Sequence, residues 1–203
     1  MKKLILALGI ISTLSACASQ KFEYSYASVC DESLDGDKPL TFDVVENVAY
    51  ASGVICDGSL DAFDDLVDNH PNIKKIQLGI INGSIDDETN LIMSYELRDR
   101  GISTHLAANS MVASGGTDLF ISGVTRTMDS GAKIGVHSWS AVDVEGSKLP
   151  RDHAEHKPYL DYYKVMGIDT EFYWFTLESA PASDIHFMTK EEIQRFGIAD
   201  YSQ

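Results

Sequence analysis

From about Leu40 onward, apolar residues fall into spacings that predict strands and helices in alternation. Short apolar runs of the kind found in buried strands cover residues 48–55, 73–83, 102–108 and 133–139. Helical spacing of apolar residues covers residues 59–70, 84–101, 115–124, 155–180 and 189–197. Strands that alternate with helices are typical of a mainly parallel sheet with helices packed on it, so the predicted fold class is α/β.

Two of the predicted helices carry further local signals. In the helix at 84–101, Leu91, Ile92 and Tyr95 are expected on the buried face. The last helix should begin after Thr189, because Glu192 follows three residues later and the two side chains can form a capping box.

The charge balance narrows the choice of partners. The 203 residues include 31 Asp and Glu against 16 Lys and Arg, a formal net charge of −15. Such an acidic chain is unsuited to nucleic acid or to an anionic membrane surface. The sequence also has no basic patch interleaved with aromatic residues. We therefore expect no nucleic-acid partner.

The first residues have the pattern of an export signal. Lys2 and Lys3 precede an apolar run at residues 4–14, which is too short to span a bilayer as a stable anchor. The run leads into Leu-Ser-Ala-Cys, which resembles the bacterial lipobox and implies lipid attachment at Cys17. Residues 1–16 are then a lipoprotein-type signal peptide. Ala18 after the cysteine favours the outer membrane, facing the periplasm of a bacterial cell envelope. An ordinary signal peptide that ends near a cysteine is the alternative.

The segment after the signal is polar. Residues 17–40 are expected to form a tether and irregular structure, and residues 41–203 the folded domain. Cys30 and Cys56 remain in the exported part, where a disulfide would persist. A bridge and two unpaired thiols are both compatible with the sequence.

Residues suited to acyl transfer follow the predicted strands. Ser114 lies in the loop after the third strand and His137 at the end of the fourth, and the carboxyl ends of parallel strands meet at one edge of a sheet. Histidine is a base near neutral pH and can activate a serine as a nucleophile. Gly83 and Gly115 are candidates for the backbone amides that hold an oxyanion, because a residue without Cβ lets substrate come close.

The order of these motifs resembles the Clp protease proteolytic-subunit family, within the wider crotonase-like fold. The resemblance covers residues 48–200 and is closest to an exported, uncharacterised branch of that superfamily. It rests on Gly83-Ser84, Ala113-Ser114, Ser122-Gly123, Arg126 and Gly135-Val136-His137. It implies repeated ββα units with a mainly parallel sheet, a peptide or protein substrate and no cofactor.

The same resemblance assigns the roles in the site. Ser114 is the implied nucleophile, His137 the base, and Gly83 and Gly115 the donors of oxyanion amides. The family's acid precedes a segment that matches residues 188–200, which makes Asp184 the implied third member of the triad.

The alignment departs from the family at the acid. It puts Ile185 at the acidic position, so Asp184 is one residue out of register.

Competing interpretations of these residues stay open. Ser110 is a second serine in the same loop, and His153 and His156 have a spacing that could bind metal, although no third ligand has recognisable spacing and no metal is expected. The aromatic segment 159–175 is expected in the core or at an interface between copies of the chain, so a homo-oligomer is possible. The predicted function is an envelope serine hydrolase, most simply a peptidase. The alternatives are an ester or thioester hydrolase and an inactive lipoprotein of this fold that binds a peptide or partner.

Overall fold

A computed structural model describes residues 22–202 of the chain. The predicted signal peptide and Cys17 lie outside the described residues, so the export signal and lipid attachment remain predictions. Within the described residues, no helix has both the length and the apolar content needed to cross a bilayer.

A nine-stranded sheet forms the centre of the described chain. Its main path runs in the order β1-β2-β3-β4-β5-β6-β11, while β7 pairs with the second half of β5 and β10 pairs with β7. The strands of this sheet are β1 Tyr24–Ala27, β2 Thr41–Val45, β3 Val48–Ser52, β4 Lys75–Ile81, β5 Ser103–Ala113, β6 Arg126–Met128, β7 Lys133–Val136, β10 His186–Phe187 and β11 Asp200–Tyr201. A separate hairpin consists of β8 Ser140–Ala141 and β9 Val144–Glu145.

The sheet is mainly parallel, as the sequence predicts. Five of its strand pairings are parallel, namely β3–β4, β4–β5, β5–β6, β5–β7 and β6–β11, and three are antiparallel. The predicted α/β class is therefore confirmed.

Between residues 22 and 202, six α-helices pack on the sheet or connect its strands. They are α1 Ser59–Asn69, α2 Asp87–Asp99, α3 Gly115–Ile121, α4 Lys157–Val165, α5 Glu171–Ser179 and α6 Lys190–Arg195. The predicted capping box of α6 is confirmed, since the Thr189 side chain bonds the Glu192 amide and the Glu192 side chain bonds the Thr189 amide.

The predicted helix at 155–180 is two helices. The chain leaves the helical path after α4, where Gly167 has a φ of +73°, and α5 begins at Glu171. A residue in the left-handed region ends a helix, and glycine adopts it without steric cost. The break lets α4 and α5 each present aromatic side chains to one pocket, which Ser114 also lines.

One strand lies in the segment expected to be irregular. β1 pairs antiparallel with β2, from Tyr24 opposite Val44 to Ala27 opposite Thr41. The expectation of a purely irregular tether over residues 17–40 is therefore wrong for this strand. Three of its four side chains are exposed, so no apolar pattern marks it. Backbone hydrogen bonds join it to β2, and these leave no signature in side-chain type. Tyr26 adds a side-chain contact, because it packs on the core and its hydroxyl lies 3.0 Å from His70 Nε2.

The buried face of α2 differs from the prediction. Ile92 is exposed, and the buried positions are Asn90, Met93, Ser94 and Leu97. Half of this face is polar, so the spacing of apolar residues in the sequence does not identify which face of α2 is buried. Leu91 and Tyr95 are partly buried and pack at the margin of the core.

A disulfide closes the N-terminal part of the fold. Cys30 and Cys56 are bonded, with their Cα atoms 5.7 Å apart, and Cys56 is fully buried. Its neighbour Ile55 accepts a hydrogen bond from the Ile85 amide and donates one to the Gly83 carbonyl, at 2.9 and 3.1 Å. The disulfide is thus attached directly to the segment that holds the loop at Gly83.

We expect the Cys30→Ser, Cys56→Ser double variant to lose about 3.5 kcal/mol of unfolding free energy, since the bridge joins residues 26 apart in sequence. Denaturant unfolding of the oxidised wild type and the double variant measures the difference. A loss well below about 1 kcal/mol would contradict an entropic contribution from this loop.

Candidate active site

Ser114 occupies the sharp turn between β5 and α3. Its backbone has φ 53° and ψ −130°, a conformation that residues with a side chain rarely adopt. The turn is fixed because the Ser114 amide donates to the Gly135 carbonyl and the Ser114 carbonyl accepts from the Thr117 amide, at 3.2 and 2.8 Å. Strained backbone of this kind persists only where the surroundings enforce it, and it clusters at active sites.

The glycines after Ser114 are required by close packing. A Cβ on Gly115 would overlap the hydroxyl of Ser84 and lie 2.7 Å from its Cβ. A Cβ on Gly116 would overlap the Ile81 carbonyl oxygen at the end of β4. These two positions let the start of α3 lie directly against the loop that follows β4.

Both predicted oxyanion donors lie beside Ser114. A Cβ on Gly83 would be 3.3 Å from the Ser114 Cβ, which places the two residues in contact. Gly115 is the first residue of α3, and the first amides of a helix have no acceptor within it. Its carbonyl accepts a hydrogen bond from Asn90 Nδ2 at 2.9 Å, which fixes the next peptide group.

Ser114 and His137 line one pocket of about 30 Å³. That volume holds one or two water molecules, so it fits a small chemical group rather than a large side chain. Gly115 and Gly135 contribute backbone to the pocket, and Trp139 lies on its wall next to His137. The structure therefore brings the predicted nucleophile and base to the same small space, although 23 residues of sequence separate them.

His137 follows the end of β7 and is partly buried. Burial lowers its pKa, while a backbone hydrogen bond at Ser138 and the negative charge of Asp87 act in the opposite direction. Its Nδ1 is buried and has no hydrogen-bond partner among residues 22–202. A lowered pKa keeps the ring neutral at neutral pH, and the neutral ring is the form that can accept a proton.

The structure does not bring Asp184 to this pocket. Its side chain is exposed and accepts a hydrogen bond from the Ile185 amide at 2.8 Å. β10 pairs with β7 through His186 opposite Val136 and Phe187 opposite Gly135, and Ile185, the residue before β10, packs with its Cγ2 against Gly135. The segment that enters β10 thus presents an apolar side chain to the end of β7. The prediction of Asp184 as third member of a triad is not supported.

Two other carboxyl groups line the pocket, and sequence reasoning missed both. Asp87 accepts hydrogen bonds from the Ser84 hydroxyl and, at 2.7 Å, from the Tyr159 hydroxyl. Asp118 accepts one from the Tyr163 hydroxyl at 2.5 Å, and burial raises the pKa of Asp118 to about 7. No sequence signal marks Asp118, while Asp87 has a local explanation as an acidic residue at a helix start.

Tyrosines and a tryptophan form the rest of the wall. Trp139 Nε1 donates to the Tyr173 hydroxyl at 2.8 Å, and that hydroxyl lies 2.6 Å from His156 Nδ1. His156 Nε2 donates to the Pro150 carbonyl, so in the neutral ring Nδ1 is the acceptor and Tyr173 the donor. Burial raises the pKa of Tyr173 to about 12. This series of hydrogen bonds fixes the wall of the pocket in place.

Comparison with solved structures identifies the fold. The chain is similar to a serine-to-alanine variant of the 1510-N membrane-bound stomatin-specific protease, with 16% identity and a TM-score of 0.54 over 78% of this chain and 80% of that chain. The chain has a Clp-protease-like fold. A lysine-to-alanine variant of the same protease in complex with a substrate peptide gives 17% identity and a TM-score of 0.54, over 78% of this chain and 76% of that chain.

A more distant likeness is to an enoyl-CoA hydratase from Geobacillus kaustophilus, with 11% identity and a TM-score of 0.49 over 80% of this chain and 67% of that chain. No protein-family model and no curated protein matches the sequence.

The remaining sequence candidates have structural roles in this Clp-protease-like fold. Ser110 is buried, and its hydroxyl donates to the Leu78 carbonyl at 2.6 Å. His156 is buried in the aromatic wall, and His153 accepts from the Glu155 amide. Within the described residues, a metal-sized cluster occurs only at the disulfide cysteines and Asp57. Within the aromatic segment 159–175, four side chains lie in the core, namely Tyr162, Tyr163, Phe172 and Tyr173. Tyr163 and Tyr173 also line the pocket, together with the partly buried Tyr159.

We expect Gly115→Ala to lower the unfolding free energy by about 1–3 kcal/mol, because its methyl group must displace Ser84. In a Ser84→Gly background the same substitution should cost clearly less. A double-mutant cycle from denaturant unfolding measures the coupling between the two positions. Equal costs in both backgrounds would mean that Ser84 is not the obstacle.

Proposed function

We propose that this protein is a serine hydrolase of the bacterial cell envelope, most simply a peptidase, that acts through Ser114 and His137. The observation that carries the proposal is the turn at Ser114, held at φ 53° and ψ −130° beside the pocket that it shares with His137. A strained turn from strand to helix exposes a serine hydroxyl above the sheet in other hydrolases. A packing role alone does not require a serine in that conformation.

The proposed reaction is acyl transfer. Neutral His137 takes the proton of the Ser114 hydroxyl while the serine oxygen forms a bond to the substrate carbonyl carbon. The amides of Gly83 and Gly115 donate to the oxyanion. The leaving group departs with the proton from His137, and water then attacks the acyl-enzyme and regenerates the free serine.

The fold supports peptide as the substrate class. A protein of the same fold is described in complex with a substrate peptide, although at 17% identity the likeness extends to the fold alone. The pocket volume of about 30 Å³ limits what can enter beside Ser114 to a small group. Esters and thioesters would use the same residues, and a panel of small acyl esters and peptides separates these classes.

One observation favours the second candidate, an inactive protein that binds a peptide or partner. Nδ1 of His137 has no partner among the described residues, and Asp184, the acid that the family resemblance implies, is exposed and does not line the pocket. A histidine without an orienting group is a weaker base in a triad. The two functions differ in whether Ser114 reacts covalently.

We expect a fluorophosphonate probe to label the wild-type protein and not Ser114→Ala, because only a nucleophilic serine forms the phosphonyl adduct. His137→Ala should slow labelling by roughly two orders of magnitude or more. The readout is adduct mass on the intact protein, with melting temperatures to show that each variant folds.

Ser110→Ala is the matched control for Ser114→Ala. It also removes one hydroxyl, four residues before Ser114, but Ser110 lies within β5 and not in the expected loop, and its hydroxyl donates to the Leu78 carbonyl and does not line the pocket. Its labelling should equal that of the wild type. A wild-type protein that never labels, or labelling that survives in Ser114→Ala, would replace the hydrolase with the binding protein.

We also propose that the protein is lipid-anchored at Cys17 and faces the periplasm, most simply from the outer membrane. The Leu-Ser-Ala-Cys sequence after a short apolar run supports this location. A bridge between Cys30 and Cys56 is suited to an oxidising compartment.

We expect Cys17→Ser to abolish incorporation of labelled palmitate and to move the protein out of the membrane fraction. An Ala18→Asp variant keeps the cysteine and should still be acylated, so it serves as a control for processing. Membrane fractionation that is unchanged in Cys17→Ser would contradict the anchor.

A further inference from the structure

The proposed site lacks an acid at the usual place beside its histidine. Nδ1 of His137 has no partner among the described residues, and the exposed Asp184 accepts a hydrogen bond from the Ile185 amide. When His137 accepts the serine proton it becomes an imidazolium in a partly buried pocket, and a buried cation without a counter-charge is unfavourable. A negative charge must then come from another wall of the pocket.

We infer that Asp87, at the start of α2, is the positioning residue that supplies this counter-charge across the pocket from His137. The inference rests on the proposed function, because it assigns a role in the same acyl transfer. Asp87 lines the pocket together with Ser114 and His137. Asp87 lies in α2, after the Gly83 loop and before Ser114 in the sequence. The acid that the family resemblance implies comes instead after His137.

The carboxylate of Asp87 is held from two directions. Ser84 donates to one oxygen from the preceding loop, and Tyr159 donates to the other from α4. An ionised carboxylate accepts and never donates, and both of these partners are hydroxyl donors. The helix cap of α2 is made by a different residue, since the Thr89 amide donates to Asp86 at 2.9 Å. Capping therefore does not account for the placement of Asp87.

Other titratable groups around the pocket do not replace Asp87. α3 contributes Asp118, α4 contributes Tyr159 and Tyr163, and α5 contributes Tyr173. The tyrosines are neutral near pH 7, because a phenol ionises near pH 10 and burial raises the pKa of each further. Burial also raises the pKa of Asp118 to about 7, which disfavours its charged form, and its carboxyl group accepts from Tyr163. Among carboxylates, Asp87 is the one whose charge counteracts the effect of burial on the pKa of His137.

The role of Asp87 predicts a shift that can be measured without any substrate. A negative charge favours imidazolium, so Asp87→Asn should lower the pKa of His137 by roughly 0.5 unit or more. NMR titration of isotope-labelled histidine follows this pKa directly, and His137→Ala assigns its signal among the six histidines. Asp184→Asn removes an equal charge outside the pocket and should leave the pKa of His137 unchanged.

Two further variants separate the effect of the charge at position 87 from the effects of misfolding and of lost hydrogen bonds. Asp87→Glu keeps the charge and should keep the pKa of His137 closer to the wild-type value than Asp87→Asn does. Asp87→Ser removes the charge but retains a hydroxyl for Ser84 and Tyr159, and it replaces Asp87→Asn if that variant fails to fold.

The outcomes separate this inference from the proposed function. If the pKa of His137 is the same in the wild type and in the variants that lack charge at position 87, the role of Asp87 is overturned, whatever the labelling shows. If that pKa falls as expected but the wild type never reacts with the fluorophosphonate, the electrostatic link stands and the hydrolase does not. If both hold, the pH at which labelling reaches half its maximal rate should move to lower pH in Asp87→Asn by the same amount.

Discussion

The close approach of the β4–α2 loop to the start of α3 is the contact on which the site depends. It exists because Gly115 and Gly116 have no side chains to separate the two segments. The approach brings Gly83 next to Ser114, and it lets Asn90 reach the Gly115 carbonyl. With bulkier residues the loop would move away from the turn. Ser114, the Gly115 amide and the Asp87 carboxylate, which come from two separate stretches of sequence, could then not share one pocket.

The same contact explains the composition of α2. A helix that packs on an apolar sheet usually buries an apolar stripe, but α2 buries Asn90 and Ser94 beside Met93 and Leu97. Asn90 is needed where it is because the carbonyl of a tight turn requires a donor. Asn90 therefore follows the demand of the neighbouring turn. Together with the buried Ser94 it gives the helix a weak apolar pattern. At α2, the helix next to the site, the residues that the structure buries therefore do not form the apolar stripe that would predict a buried face.

The sequence was sufficient for β3, β4, β5 and β7 and for placing Ser114 and His137 on one pocket, because strand ends in a parallel sheet converge on one edge. It was insufficient for β1, β2, β6, β10 and β11 of the main sheet. Four of these have two to four residues and are defined by the partner they bond to, and β2 lies at the start of the folded part, before the first predicted strand. The carboxyl groups that line the pocket, Asp87 and Asp118, were missed for a related reason. Asp87 has a ready local role at a helix start, and only the folded chain brings Tyr159 to it over 72 residues of sequence.

The disulfide constrains the geometry of the Gly83 loop through the residue next to Cys56. Ile55, next to Cys56, exchanges backbone hydrogen bonds with both sides of that loop. With both cysteines reduced, hydrogen bonds alone would hold the loop there. With the bridge closed, the segment beside the loop is cross-linked to Cys30, which limits how far Gly83 can move away from Ser114. The redox state of two cysteines remote from the pocket therefore sets how tightly the backbone around Ser114 is held.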